Sequence, residues 1–329
     1  MAVKSPQRVE AERLCVKFPE TATRTLAKKL ADSHQITVEQ ARSLLRVVRG
    51  NNSVAARSRA TSPRPNGVAG TKPQMPPSIA EPWLPFDLGN GIKVAILSDI
   101  HIPYHSVIAL EAAVKYCKKR RPDVVLLNGD FADFYSISRH QKDPSKRDFK
   151  GEIEAVQQGL AWIRGQFPKA RIVFKAGNHE ERWQHWLWNQ APEISDFDRM
   201  SLKEWLDADK YGVEVVADQR PIMAGKLPIM HGHEMGKGIS APVNAARGLF
   251  LRTVSTMLVG HGHRTSQHVE PDWKHVDTST WSTGCLCDLN PAYAVINKWN
   301  SGAAYVSVDG TGEFNVENFR ISKEGDIWD

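Results

Sequence analysis

Cysteine is scarce. Four in 329 residues cannot make a disulfide framework, so a reducing cytoplasm is the expected compartment. No run of about 18 apolar residues occurs, which excludes a membrane-spanning helix. The opening Met-Ala-Val-Lys-Ser-Pro-Gln-Arg leads into no apolar stretch, so a cleaved export signal is not expected. There is no internal repeat. Apolar material itself is not lacking: the chain is 41% hydrophobic and 24% charged, which excludes a wholly disordered protein. At roughly 150 residues per domain the length allows about two domains.

Acidic residues are sparse at one end only. Residues 1–72 hold 14 Lys+Arg against 5 Asp+Glu, a balance of +9, whereas the remainder holds 29 against 32, a balance of −3. The basic character belongs to the N-terminal fifth, as in a polyanion-binding appendage on a near-neutral body. Within residues 1–50, Pro19 ends a first helix, and Leu26, Ala27, Leu30 and Ala31 share a face of a second. Thr37-Val-Glu-Gln40 is a capping box opening a third helix, closed by Gly50. The spacing predicts a small all-α, helix-turn-helix-like domain. Arg42, Arg46 and Arg49 on its last helix are candidate phosphate contacts; the alternative is a protein-docking bundle with a solvated charged face. Residues 51–90, rich in Pro, Gly and Ser, read as a tether.

From residue 91 to 329 the pattern becomes α/β. Ile92–Leu97, Val124–Leu127 and Ile172–Phe174 read as buried strands, with helices at 106–120 and 150–166 between them. Further strands are expected at Leu227–Met230, Thr256–Val259, Tyr293–Ile296, Ala303–Val308 and Phe314–Phe319. The expected architecture is a mixed β-sandwich flanked by helices, with a helical insertion near 180–210.

Five apolar runs end in metal-ligand residue types: Ser98-Asp99-Ile100-His101, Asn128-Gly129-Asp130-Phe131-Ala132-Asp133, Ala176-Gly177-Asn178-His179-Glu180, Met230-His231-Gly232-His233 and Gly260-His261-Gly262-His263. Open α/β sheets bind ligands at the carboxyl ends of strands, so these blocks should meet in one crevice. The ordered set resembles the calcineurin-like metallophosphoesterases over residues 91–310. That resemblance implies two divalent metal ions, with Asp99, His101 and His263 holding one, Asn178, His231 and His261 the other, and Asp130 bridging. Mixed N/O donors suit manganese, with iron or zinc as alternatives. Two such ions clamp the oxygens of an in-line displacement at phosphorus and lower the pKa of the attacking water. His179 is not a ligand in the family pattern; it would support the transition state or protonate the leaving oxygen.

Several neighbouring residues have two readings. Asp133 orients a ligand or caps the next helix. His233 competes with His231, which is preferred because it directly ends the apolar run. His105 and His140 either reach substrate phosphate or are plain loop histidines. Cys285-x-Cys287 could bind zinc but reads better as two buried thiols. Trp183, Trp186 and Trp188 could stack bases or pack the helical insertion.

The first block lacks the Gly-Asp-x-His-Gly of protein Ser/Thr phosphatases, and Phe134 follows Asp133 where they carry Asp-Arg-Gly. The blocks are closer to the nuclease and phosphodiesterase branches. With its basic N-terminus, the chain is similar to phage- or mobile-element-encoded members. The expectation is a phosphodiesterase or nuclease on nucleic acid. The alternatives are a phosphomonoesterase with a docking module and a non-catalytic DNA-binding protein.

Overall fold

The computed structural model describes residues 4–50, 75–80, 82–140, 143–235 and 243–328. The chain divides into two units, Met1–Ala80 and Glu81–Asp329. No described helix is long and apolar enough to cross a membrane.

The first unit holds three helices, α1 (Pro6–Lys17), α2 (Thr23–His34) and α3 (Val38–Val48). Thr37 Oγ1 accepts the Gln40 N–H while the Gln40 side chain accepts the Thr37 N–H, the reciprocal capping expected from the sequence. Ala11, Leu26, Leu30, Ala41 and Leu45 form a separate small core. Arg49 latches the end of α3 to the α1–α2 connection, its guanidinium donating to Thr23 Oγ1 (3.0 Å) and to the carbonyls of Phe18 (3.1 Å) and Thr21 (2.7 Å). Arg42 pairs with Glu39 at 2.8 Å. Most of the expected tether, residues 51–74, lies outside the described residues.

The second unit is a mixed α/β sandwich of two sheets with helices outside. Its strands are β1 (Phe86–Asp87), β2 (Lys93–Leu97), β3 (Val124–Asn128), β4 (Arg171–Lys175), β5 (Val213–Val216), β6 (Ile222–Ala224), β7 (Leu227–Met230), β8 (Met257–Val259), β9 (Ser266–Pro271), β10 (Asp277–Ser282), β11 (Gly302–Val308), β12 (Phe314–Ile321) and β13 (Ile327–Trp328). One sheet runs β13-β12-β11-β2-β3-β4-β5 and the other β1-β6-β7-β8-β10-β9. β2 to β5 are parallel, while β11 is antiparallel to β2 and β12 to β11.

Side-chain parity explains the layering. Val94, Ile96, Val124, Leu126 and Val173 face Leu227, Ile229 and Leu258 of the other sheet. Their alternates, Ala95, Leu97, Val125, Leu127, Ile172 and Phe174, pack with residues of α4 (Val107–Lys119) and α5 (Phe149–Gln166). Covering both faces is why these strands read as unbroken apolar runs. Residues 181–205 form the insertion, with α6 (Glu181–Gln190) and the single turn α7 (Leu202–Trp205); α8 (Ala245–Thr253) precedes β8.

Two expectations change. Tyr293–Ile296 is not a strand. Asn297 Nδ2 donates to the carbonyls of Leu289 (2.6 Å) and Ala294 (2.7 Å), closing a loop in which Tyr293 and Ile296 stand exposed. Phe86–Asp87, inside the expected tether, instead pairs with β6 as an edge strand.

Candidate metal centre and substrate cleft

Three of the five blocks turn sharply where they leave their strands. Asp99, His101, Asp130, His261 and His263 all take positive φ, between 52° and 60°. This left-handed backbone is costly for residues other than glycine, and it clusters where structure serves a site. Gly129, at φ +82°, leaves room that any side chain would take from the His231 imidazole.

The turns bring the seven expected ligand residues into one crevice. Asp99 Oδ1 lies 3.1 Å from His263 Nε2, which is 3.3 Å from His101 Nε2. On the other side His231 Nε2 is 3.2 Å from Asp130 Oδ2 and 3.3 Å from Asn178 Oδ1. Asp130, His231 and His261 form a further group with ligand atoms within 4.8 Å of one another. Asp130 Oδ2 also stands 3.8 Å from His101 Nε2, between the two sets.

The hydrogen bonds fix which nitrogen is free. His101 Nδ1 donates to Asp133 Oδ2 (3.1 Å) and His231 Nδ1 to the Asn128 carbonyl (2.8 Å). In the neutral rings each Nε2 would face another ring nitrogen or an oxygen at 3.2–3.3 Å. Lone pairs so placed repel unless a proton or a metal cation lies between them. Ligands at about 2.0–2.2 Å from a shared ion would be separated by about this much. The donor set thus fits two divalent ions. The charges agree: two fully buried carboxylates, Asp99 and Asp130, sit among histidines. Burial alone would raise the Asp130 carboxyl, yet His231, His179 and His101 hold it well below the ordinary carboxylate range. Burial opposes charge on His231, but Asp130 pushes it up to about 10; Asp99 likewise overcomes burial to push His263 up to about 10. His261, at the exposed rim of the cluster, is pushed below the ordinary imidazole value by its crowded surroundings and by neighbouring His231. The pocket demands positive charge, which metal ions would supply in place of protons.

His179 borders this cluster. Its Nδ1 donates to the Asp133 carbonyl (2.7 Å), its Nε2 accepts from Arg182 Nη2 (2.8 Å), and that Nε2 is 3.9 Å from Asp130 Oδ2. Asp133 serves both histidines, through its carboxylate for His101 and its carbonyl for His179, rather than capping a helix. His233 turns away from Asp130, pairing with Glu181 at 2.9 Å on the cleft wall. His140 lines the cleft. His105 instead lines a separate apolar cavity of about 250 Å³ with Leu110, Phe131 and Trp162. Cys285 and Cys287 are buried thiols, and Cys287 Sγ lies 3.9 Å from His263 Nδ1.

Sequence reasoning missed the residues that hold the blocks together. Glu180 is buried and accepts the N–H groups of Asp130 (2.9 Å), Ala132 (2.9 Å) and Gly177 (2.7 Å), stitching the second block to the third. Lys175 and Glu234 form a buried pair at 3.0 Å behind His231. A lysine ending an apolar strand was the available signal. Arg182, in the first turn of α6, had none.

Beside the ligand cluster opens a cleft of about 1280 Å³, whose walls include Arg139, His140, Arg182, His185, Trp186 and Arg252. The family model for calcineurin-like phosphoesterase matches residues 92–283. The chain is 26% identical over 255 residues to the Gene 54 protein of Mycobacterium phage L5, across 72% of this chain and 98% of that one. The Gene 54 protein of Mycobacterium phage D29 aligns at 26% over 256 residues, with the same coverage. Similar solved structures include Vps29 from Entamoeba histolytica (12% identity, 72% of this chain and 96% of that one, TM-score 0.37). A dimetal phosphatase from Danio rerio is another (11%, 70% and 96%, TM-score 0.34).

Proposed function

The chain belongs to the calcineurin-like phosphoesterase family and is a metal-dependent phosphoesterase, and from that premise we propose that it is a phosphodiesterase acting on nucleic acid. The observation that carries this reading is the cleft. At about 1280 Å³ it exceeds the roughly 300–1,000 Å³ of ordinary small-molecule sites. Three arginines on its walls, with His140 and His185 among its four histidines, suit a chain of phosphates rather than a single monoester.

In this reading Asp99, His101 and His263 would hold one ion, Asn178, His231 and His261 the other, and Asp130 would be shared between them; manganese would suit the mixed donors. When bound, the ions supply Lewis-acid activation of the phosphate and of the attacking water. The chain's own residues do the rest. Asp133 and the Asn128 carbonyl orient His101 and His231 so that their Nε2 atoms point inward. Arg182 lies where it can bind a non-bridging phosphate oxygen. His179, oriented by the Asp133 carbonyl, would serve the leaving oxygen once protonated at Nε2, the atom that here accepts from Arg182. The basic N-terminal unit recruits the polymer, with Arg42 and Arg46 as the phosphate contacts; Arg49 is engaged inside the unit.

The test is a side-by-side assay of the manganese-loaded protein on a phosphomonoester, a small diester, and DNA and RNA oligonucleotides. Diester and oligonucleotide turnover supports the reading, and monoester turnover alone overturns it. Removing residues 1–72 should spare the small diester while weakening DNA binding and flattening its salt dependence.

A further inference from the structure

The three tryptophans of α6 do not share one role. Trp183 is 5% exposed, donates its indole N–H to the Met200 carbonyl and packs against Trp205 at 4.5 Å between ring centroids. Trp188 is exposed and leans on His185. Trp186 lies between these extremes. One of its faces stacks on Trp183 (5.6 Å, 14° between planes), and Trp183 in turn stacks on Phe149 (5.6 Å, 19°). Phe149, Trp183 and Trp186 therefore form a column of nearly parallel rings. The column starts at the half-buried Phe149 against the core, passes through buried Trp183 and ends at the cleft wall, where Trp186 is 38% exposed.

The helix that ends this column also carries the cleft's polar groups. Arg182, His185, Trp186 and Asn189 all line the cleft. Their spacing of i, i+3, i+4 and i+7 puts them on one helical face. Arg182 stands one turn before Trp186. Two of its donors go to His179 Nε2 and the Asp133 carbonyl, and a guanidinium has five.

We propose that this wall of α6 binds an unpaired nucleotide, the base extending the ring column on Trp186 and the adjoining phosphate taken by Arg182 beside the metal centre. The proposal rests on the nucleic-acid reading above and adds strand selectivity to it. A base inside a duplex is covered on both faces by its neighbours, so only a single-stranded or splayed base can meet the indole. Such stacking tolerates any sequence, because every base has a π face. The buried half of the column fixes the Trp186 ring plane before substrate arrives, which reduces the ordering cost of binding.

The experiment uses the full-length, manganese-loaded protein and its Trp186→Ala and Trp186→Phe variants. Substrates are one labelled oligonucleotide as a single strand, the same strand in duplex, and a single strand bearing abasic residues. Anisotropy of the labelled strand on metal-free protein gives a readout independent of turnover. The wild type should favour the single strand over the duplex by about tenfold or more. Trp186→Ala should raise KM and Kd for the base-bearing strand by roughly 5- to 150-fold, with kcat little changed, while Trp186→Phe keeps most of the affinity. On the abasic strand wild type and Trp186→Ala should be equal. An unchanged KM on the base-bearing strand, an equal loss on the abasic strand, or a preference for duplex would each overturn the stacking proposal. If the wild type hydrolyses p-nitrophenyl phosphate but no oligonucleotide of any form, the nucleic-acid reading fails and this proposal falls with it.

Discussion

Lys175→Met tests whether the buried pair behind His231 supports both fold and site. Lys175 is fully enclosed at the end of β4. Its ammonium sits 3.0 Å from Glu234 Oε1 and donates to the Arg220 carbonyl at 3.1 Å. Glu234 accepts the backbone N–H groups of His231 (3.2 Å) and Gly232 (2.6 Å). Burial would raise the Glu234 carboxyl, but Lys175 foremost holds it at about 2. Methionine keeps much of the lysine stem's volume and strands the carboxylate. Removing one partner of a buried pair costs about 3–5 kcal/mol, whereas removing both charges is often close to neutral. Lys175→Met should therefore lose about 3–5 kcal/mol in urea denaturation of the metal-free protein at pH 7. Adding Glu234→Gln should recover part of that loss, because it removes the stranded charge, while the single amide oxygen keeps only one of the two N–H groups that Oε1 and Oε2 accept separately. Glu234 is depressed below its ordinary 4.5, so its contribution is present above that pH. The single variant's deficit should shrink as pH falls from there toward 2. Because Glu234 also positions the His231 backbone, Lys175→Met should weaken calorimetric manganese binding by about 10- to 100-fold. A stability loss under about 1 kcal/mol, or a double variant as unstable as the two singles combined, would refute the coupling.

Three other outcomes are expected. Asp130→Asn should abolish most turnover and weaken both metal sites, read by metal analysis of the purified variant; two retained ions with wild-type kcat would remove Asp130 from the bridging position. His179→Gln should retain two metals yet lower kcat by about 10²–10⁴-fold, with less loss on substrates whose leaving groups need no protonation. Buried Glu152 is pushed up to about 7 by burial and by Asp133, so its ionisation opposes folding as pH rises from 4.5 through 7. Glu152→Gln should gain on the wild type over that interval, by up to about 3 kcal/mol at pH 8, and match it near pH 4; parallel stability curves would refute this.

The sequence exposed the site better than the scaffold around it. Asp99, Asp130, Asn178, His231 and His261 were readable because each follows an apolar run, and a strand's end is where a parallel sheet places its chemistry. β9 and β10 were not, since half-exposed strands such as Ser266–Pro271 carry no apolar alternation. Tyr293–Ile296 misled because apolar content was taken for burial, while asparagine side chains closed it as a loop. Glu180 acts through the distant N–H groups of Asp130 and Ala132, and Glu234 through its distant partner Lys175, contacts made by long-range folding that no local pattern encodes. Arg49 shows the same blindness: its charge was legible, but its acceptors, the carbonyls of an earlier turn, were not.

That latch from Arg49 back to Phe18 and Thr21 also sets an order of birth. During synthesis the N-terminal unit has every partner it needs once residue 49 has left the ribosome. The catalytic sheet must wait. Ala95 of β2 pairs with Tyr305 of β11, and His101 meets His263, so one edge of β2 stays open until β11 is made, and His101 lacks its neighbour until residue 263. Distant pairings form late and leave edges exposed meanwhile. A nascent chain of this protein would therefore display its finished basic module well before it owned a completed metal centre.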